Sequence, residues 1–229
     1  MDTDTRLLWG RFIDQQPIRS FKSGQMLLFQ GESPQSGYVI KKGIVKSYDI
    51  NAQGDEQLAY LLTSADVFPY PWLLNQTPTS HFYYESLTDT ELRVLNKQAY
   101  QFFLRKTEGM IIFELEKYAR SEVKQAKRLT SLLNSKAVDK LINVISYLAI
   151  NYGTVIGHNI VQIGISLTHQ EIANLTGLRR ETVAVGLNKL KRKGVIHYGR
   201  DREFYEVDLS QLNRLINAST SSLKPVERR

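Results

Sequence analysis

The chain has 229 residues, 42% of them hydrophobic, no cysteine, and a formal net charge of +7. That length allows two domains or one large one, and the missing cysteines exclude disulfides, thiol redox sensing and cysteine-held iron–sulfur or zinc sites. No apolar run is long enough to span a bilayer, and the acidic start, Met1-Asp2-Thr3-Asp4-Thr5, lacks the features of an export signal, so a cytoplasmic location without membrane contact is expected.

Residues 18–100 read as short strands punctuated by turn formers. Met26–Phe29, Gly37–Ile40, Ile44–Tyr48 and Gln57–Leu61 are the clearest, separated by Gly31-Glu32, Lys42-Gly43 and Gln53-Gly54-Asp55. Turns at about ten-residue spacing suggest a sandwich or barrel-like β-roll, in a first domain over residues 1–107. Residues 66–84 interleave aromatics with prolines. Phe68, Tyr70, Trp72, His81 and Tyr83 form a candidate pocket for a small apolar effector, with plain core packing as the competing reading. His81 is the only histidine in this half, so no cluster for a metal site is expected.

Residues 108–134 exchange the strand pattern for a heptad one. Ile112, Leu115, Ala119, Val123, Ala126, Leu129 and Leu133 recur by threes and fours, as in a coiled-coil seam. A single long helix seamed in this way has no partner inside the chain and predicts a homodimer. Packing of the same stripe on the β-roll is the alternative.

Residues 135–229 predict a winged helix-turn-helix. Lys136–Asn151 is a helix with Val138, Leu141, Ile142, Ile145 and Leu148 inward, and residues 153–165 read as a loop with two short strands. Thr168 and Glu171 stand in capping-box relation at the next helix start. Ala173 is small where two helices must approach, and Gly177 falls at a tight turn that needs a positive φ. Val183, Leu187 and Leu190 mark the inner face of a second helix over about 179–193, with Gly194 as its C-terminal cap. Arg179, Arg180, Glu181, Thr182 and Asn188 are left to face outward, where they suit base edges and phosphates of a major groove. Val195–Tyr198 and Glu203–Val207 then alternate as strands about a Gly199–Arg202 turn, a wing whose Arg200 and Arg202 can reach phosphates. Asp208 is expected to cap a last helix through Ile216.

The charge is divided unevenly between the halves. Residues 1–116 carry 11 Lys and Arg against 14 Asp and Glu, a balance of −3, whereas residues 117–229 carry 19 against 9, a balance of +10. A polyanion such as double-stranded DNA fits the second half.

This order of parts resembles the Crp/Fnr superfamily of bacterial transcription regulators. The likeness is strongest in Leu167–Ile196, which contains QEIANLTGLRRETVAVGLNKLKRKGVI, and extends to the glycine-framed run from Gly31 to Val45. It implies an α+β protein, not an enzyme, with a cupin-like β-roll sensor, a long dimerisation helix and a C-terminal winged helix-turn-helix. It also implies a palindromic operator with base contacts from Arg180 and Glu181; the rotation fixed by the inner stripe adds Ala184, and Val185, which cannot hydrogen-bond, is a base contact at most through a thymine methyl. Phosphate contacts would come from His169, Gln170, Arg179, Thr182, Asn188, Lys189, Lys191, Arg200 and Arg202, and a contact with RNA polymerase from residues near Gly153–Asn159. Two departures concern the reading head: Val185 stands where many members carry a second base-reading arginine, and Arg179 replaces the usual small N-cap. A third concerns the sensor. Cyclic-nucleotide members cradle the phosphate with an Arg-Ser pair, and residues 66–84 contain no arginine, which argues against cyclic AMP and leaves the effector unassigned. A cupin-like metal enzyme with a nucleic-acid-binding module, or a protein-interaction module using the winged helix, are the competing classes.

Overall fold

A computed structural model describes residues 3–133, 136–198 and 205–220. The chain divides into two compact units, residues 1–121 and 122–229.

The first unit opens with a helix that the sequence pattern did not suggest, α1 (Thr3–Asp14), and continues as eight strands. These are β1 (Ile18–Phe21), β2 (Met26–Leu28), β3 (Gly37–Lys42), β4 (Val45–Ile50), β5 (Glu56–Leu62), β6 (Val67–Phe68), β7 (Tyr83–Ser86) and β8 (Thr90–Leu95). They form two antiparallel four-stranded sheets, ordered β1-β8-β3-β6 and β2-β7-β4-β5. Because successive strand residues point to opposite faces, β3 serves two cores. Tyr38 and Ile40 join Leu28, Val45, Phe68, Tyr84 and Leu92 in a cluster drawn from both sheets. Val39, between them, turns the other way, to Trp9, Ile13, Trp72, Leu73, Leu95, Tyr100, Leu104 and Met110.

That second cluster is roofed by helices: α1, the short α2 (Tyr70–Leu73), α3 (Lys97–Lys106) and the start of α4 (Met110–Leu132). Asn96 caps α3 by accepting from the Ala99 N–H at 2.9 Å. Phe12 of α1 stacks on Phe103 of α3 with ring centres 4.1 Å apart. The C-terminal carbonyls of α1 are answered by Arg93 of β8, whose guanidinium donates to Ile13 O (3.0 Å) and Asp14 O (2.9 Å) and pairs with the Asp14 carboxylate at 2.7 Å. A cation at a helix C-terminus satisfies both the orphan carbonyls and the dipole.

The second unit follows the expected order: α5 (Ala137–Tyr152), β9 (Gly153–Gly157), β10 (Ile160–Ile163), α6 (His169–Thr176), α7 (Arg180–Arg192), β11 (Ile196–Tyr198), β12 (Tyr205–Asp208) and α8 (Leu209–Thr220). Its sheet runs β11-β12-β10-β9, antiparallel, with β9 at one edge. Asp208 Oδ1 accepts from the N–H groups of Ser210 (2.8 Å) and Gln211 (3.0 Å) and so starts α8, which runs beyond Ile216 to Thr220. The expected wing turn, with Arg200 and Arg202, lies outside the described residues.

Candidate nucleic-acid interface

The helix-turn-helix is built from local signals. Thr168 Oγ1 accepts from the Glu171 N–H at 3.2 Å, and the Glu171 carboxylate accepts from the Thr168 N–H at 2.6 Å, a reciprocal capping box. Gly177 ends α6 in the left-handed region, φ 64°, where a Cβ would strain the backbone. Ile172, Ala173 and Leu175 of α6 and Val183, Gly186, Leu187 and Leu190 of α7 are buried. Gly186 was not singled out by the sequence reading. A Cβ there would fall well inside contact distance of Leu141 Cδ1 on α5, with Cγ only 3.6 Å away, so the glycine sets how closely α7 approaches α5. The available signal was an isolated glycine inside a helical pattern, which commonly has a packing reason.

With that face inward, the rest of α7 is presented to solvent. Arg180, Glu181, Thr182, Val185, Asn188, Lys189 and Lys191 are exposed, as is Arg179 at the N-cap, and Ala184 is half-buried. Lys191 holds its ammonium 4.7 Å from the Tyr198 ring centre on the wing strand. On α6, Gln170 is exposed and donates to Asn174 Oδ1 at 2.8 Å, while His169 is half-buried against α7 and the wing. An open groove of about 410 Å³ flanks α7 on the α5 side, lined by Val138, Leu141, Gly186, Glu181, Val185 and Lys189.

The charge on α7 separates helix stability from another purpose. Glu181 in the first turn and Lys189, Lys191 and Arg192 in the last oppose the helix dipole favourably. Arg179 and Arg180 do the reverse. Two cations stand at the positive end of the dipole, at a cost of about 0.3–1 kcal/mol each, and Arg179 makes no side-chain capping bond. Among the described residues neither arginine has an ion-pair partner. Such a pair is suited to anionic phosphates and acceptor-bearing base edges.

The seven seam positions of α4 and its C-terminal end, Ile112, Leu115, Ala119, Val123, Ala126, Leu129 and Leu133, are all exposed. Leu129 is 59% and Leu133 83% accessible. The buried positions of this helix lie off the seam. Met110 is in the helix-side core, and the Glu114 carboxylate accepts from Tyr70 Oη at 2.7 Å and from Lys117 Nζ at 3.2 Å. Burial first, then the nearby Glu114 charge, pushes the Tyr70 phenol above its ordinary range.

The structure does not gather the five positions expected of an effector pocket. Phe68 lies between the sheets, stacked on Tyr38 and Tyr84. Trp72 is buried in the helix-side cluster, with Lys97 Nζ 4.3 Å from its ring centre. Tyr70 is engaged by Glu114, and its ring stacks on Tyr118. Tyr83 stacks on Tyr48 across β4 and β7, and His81 is exposed. Strand alternation and the α2 turn send these sequence neighbours to different faces of the roll.

Comparison with known proteins matches both units. The cyclic nucleotide-binding domain family matches residues 18–107, and the Crp-like helix-turn-helix domain family matches residues 139–215. Electron transport regulator A of Shewanella oneidensis is 24% identical over 204 residues, covering 86% of this chain and 77% of the relative. The anaerobic regulatory protein of Bacillus subtilis is 26% identical over 180 residues, covering 78% and 74%. A solved CRP-family transcriptional regulator of Thermus thermophilus superposes with a TM-score of 0.70 at 19% identity, over 86% of this chain and 95% of the other.

Proposed function

Since the chain belongs to the Crp/Fnr superfamily of transcription regulators, we propose that it acts in the cytoplasm as a homodimer that reads a two-fold symmetric operator with α7. The observation that carries the DNA reading is the Arg179-Arg180 pair at the positive end of the α7 dipole. In this reading Arg180 and Glu181 reach base edges, with Ala184 and Val185 beside them. Gln170, Arg179, Thr182, Asn188, Lys189, Lys191 and the His169 imidazole hold the backbone. Arg forms a bidentate bond to guanine and Glu accepts from a cytosine amino group. Self-association rests on the exposed apolar stripe of α4, which a second copy would cover. The exposed Val155 and Ile156 on the edge strand β9 offer RNA polymerase an apolar contact. No enzymatic step belongs to this reading.

Selection of binding sites from random DNA tests it, paired with titrations over a range of salt. Two reading heads making about 6–10 phosphate contacts give a log–log salt slope of roughly −5 to −9. Arg180→Ala should weaken binding by about 1–3 kcal/mol and relax the preference for one guanine per half-site. A slope near zero, or an unchanged motif in the variant, refutes α7 as the reader.

A further inference from the structure

Val185 is 70% exposed on the outermost line of α7. It lies about 200° round the helix axis from the buried Val183. One turn before it on that line is Glu181 and one turn after it Lys189, both exposed and polar. Local stability does not ask for a valine here. A β-branched residue is a poorer helix former than alanine, and its methyls touch water rather than a core. Its chemistry is narrow as well: it neither donates nor accepts, so it cannot read the hydrogen-bonding pattern of any base. In the major groove a single apolar feature distinguishes the bases, the C5-methyl group of thymine.

Resting on the proposed DNA reading, we infer that Val185 is a specificity-determining residue that selects a thymine in each half-site by covering its methyl group. Arg180 precedes it by more than one helical turn, so the thymine and the guanine read by Arg180 are separate positions of the half-site. The neighbouring groove along Val138, Leu141 and Gly186 leaves the Val185 side chain unobstructed on its α5 side. Nothing on the same line competes for the methyl, since Glu181 and Lys189 are drawn to polar and anionic groups.

The methyl can be removed without altering the rest of the base. Each thymine of the operator selected by the wild-type protein is replaced in turn by deoxyuridine, which keeps the same pairing and acceptors. One thymine per half-site should lose about fourfold in affinity, the worth of one buried methyl group, and the symmetric double replacement about tenfold or more. Val185→Ala should bind thymine and deoxyuridine operators alike, because its shorter side chain no longer covers the methyl. Its circular dichroism should be unchanged, since the residue is exposed. The inference is overturned if every deoxyuridine operator binds the wild type as well as its parent, or if Val185→Ala keeps the full methyl penalty. Failure to select any motif refutes the DNA reading as well, which separates the two outcomes.

Discussion

Gly186 offers the most exacting test of how the reading head is set. Substitution by alanine has two opposing effects. Filling a glycine position in a helix interior gains about 1 kcal/mol in propensity. The new methyl, however, overlaps Leu141 Cδ1, and Leu141 is only 1% exposed, so moving it towards the flanking groove disrupts its packing. Overpacking of this kind costs about 1–3 kcal/mol, which makes the net loss about 0–2 kcal/mol. Leu141→Ala alone removes a buried side chain and should cost about 2–5 kcal/mol. In the double variant the added methyl occupies part of the space that Leu141 vacated and the propensity gain remains. The pair should therefore be more stable than the sum of the singles by about 1 kcal/mol or more. Urea unfolding of all four proteins, followed by far-ultraviolet circular dichroism, reads that coupling. Additivity within about 0.5 kcal/mol, or stabilisation by Gly186→Ala alone, refutes the close approach of α5 and α7.

Leu129→Asp should turn the dimer into a monomer at micromolar concentration, because the charge would be buried in the seam without a partner. Sedimentation of the wild type as a monomer without DNA sinks the seam itself. Cyclic AMP should neither bind nor alter operator affinity, since residues 66–84 supply no arginine to its phosphate. Micromolar binding by calorimetry would show that other residues provide that charge.

The helix-turn-helix was legible because its determinants are local. Thr168 and Glu171 are three residues apart, Gly177 declares its own turn, and Val183, Leu187 and Leu190 repeat at helical spacing, so each element could be placed without knowing its neighbours. The strands of the roll were legible for a similar reason, through the glycine-bearing turns between them. Three helices escaped, the four-residue α2 and two longer ones. Trp9, Phe12 and Ile13 carry helical spacing in α1, and Asn96 followed by Tyr100, Phe103 and Leu104 carries a cap and a stripe in α3. Both signals are short: one follows an acidic N-terminal stretch, the other sits at the end of a strand-rich region. What sequence proximity could not reveal was partition between faces. Phe68 and Trp72 are four residues apart and enter different cores, because β6 ends and α2 turns between them. Gly186 was illegible in a different sense, since its meaning depends on Leu141, 45 positions earlier in the chain.

The Arg93 contacts bear on where the sensor can be cut or recombined. The stretch that matches the cyclic nucleotide-binding family begins at residue 18. The acceptors for the largely buried guanidinium of Arg93 lie before that boundary, at Ile13, Asp14 and Gln16. A hybrid that inherits residues 18–107 alone would carry the arginine without the carbonyls that accept its hydrogen bonds and the Asp14 carboxylate that neutralises it, and would leave open the face that Trp9 and Phe12 close over Phe103. The heritable unit is therefore longer than the recognisable one. In diverging relatives, α1 and position 93 are expected to be lost together or kept together.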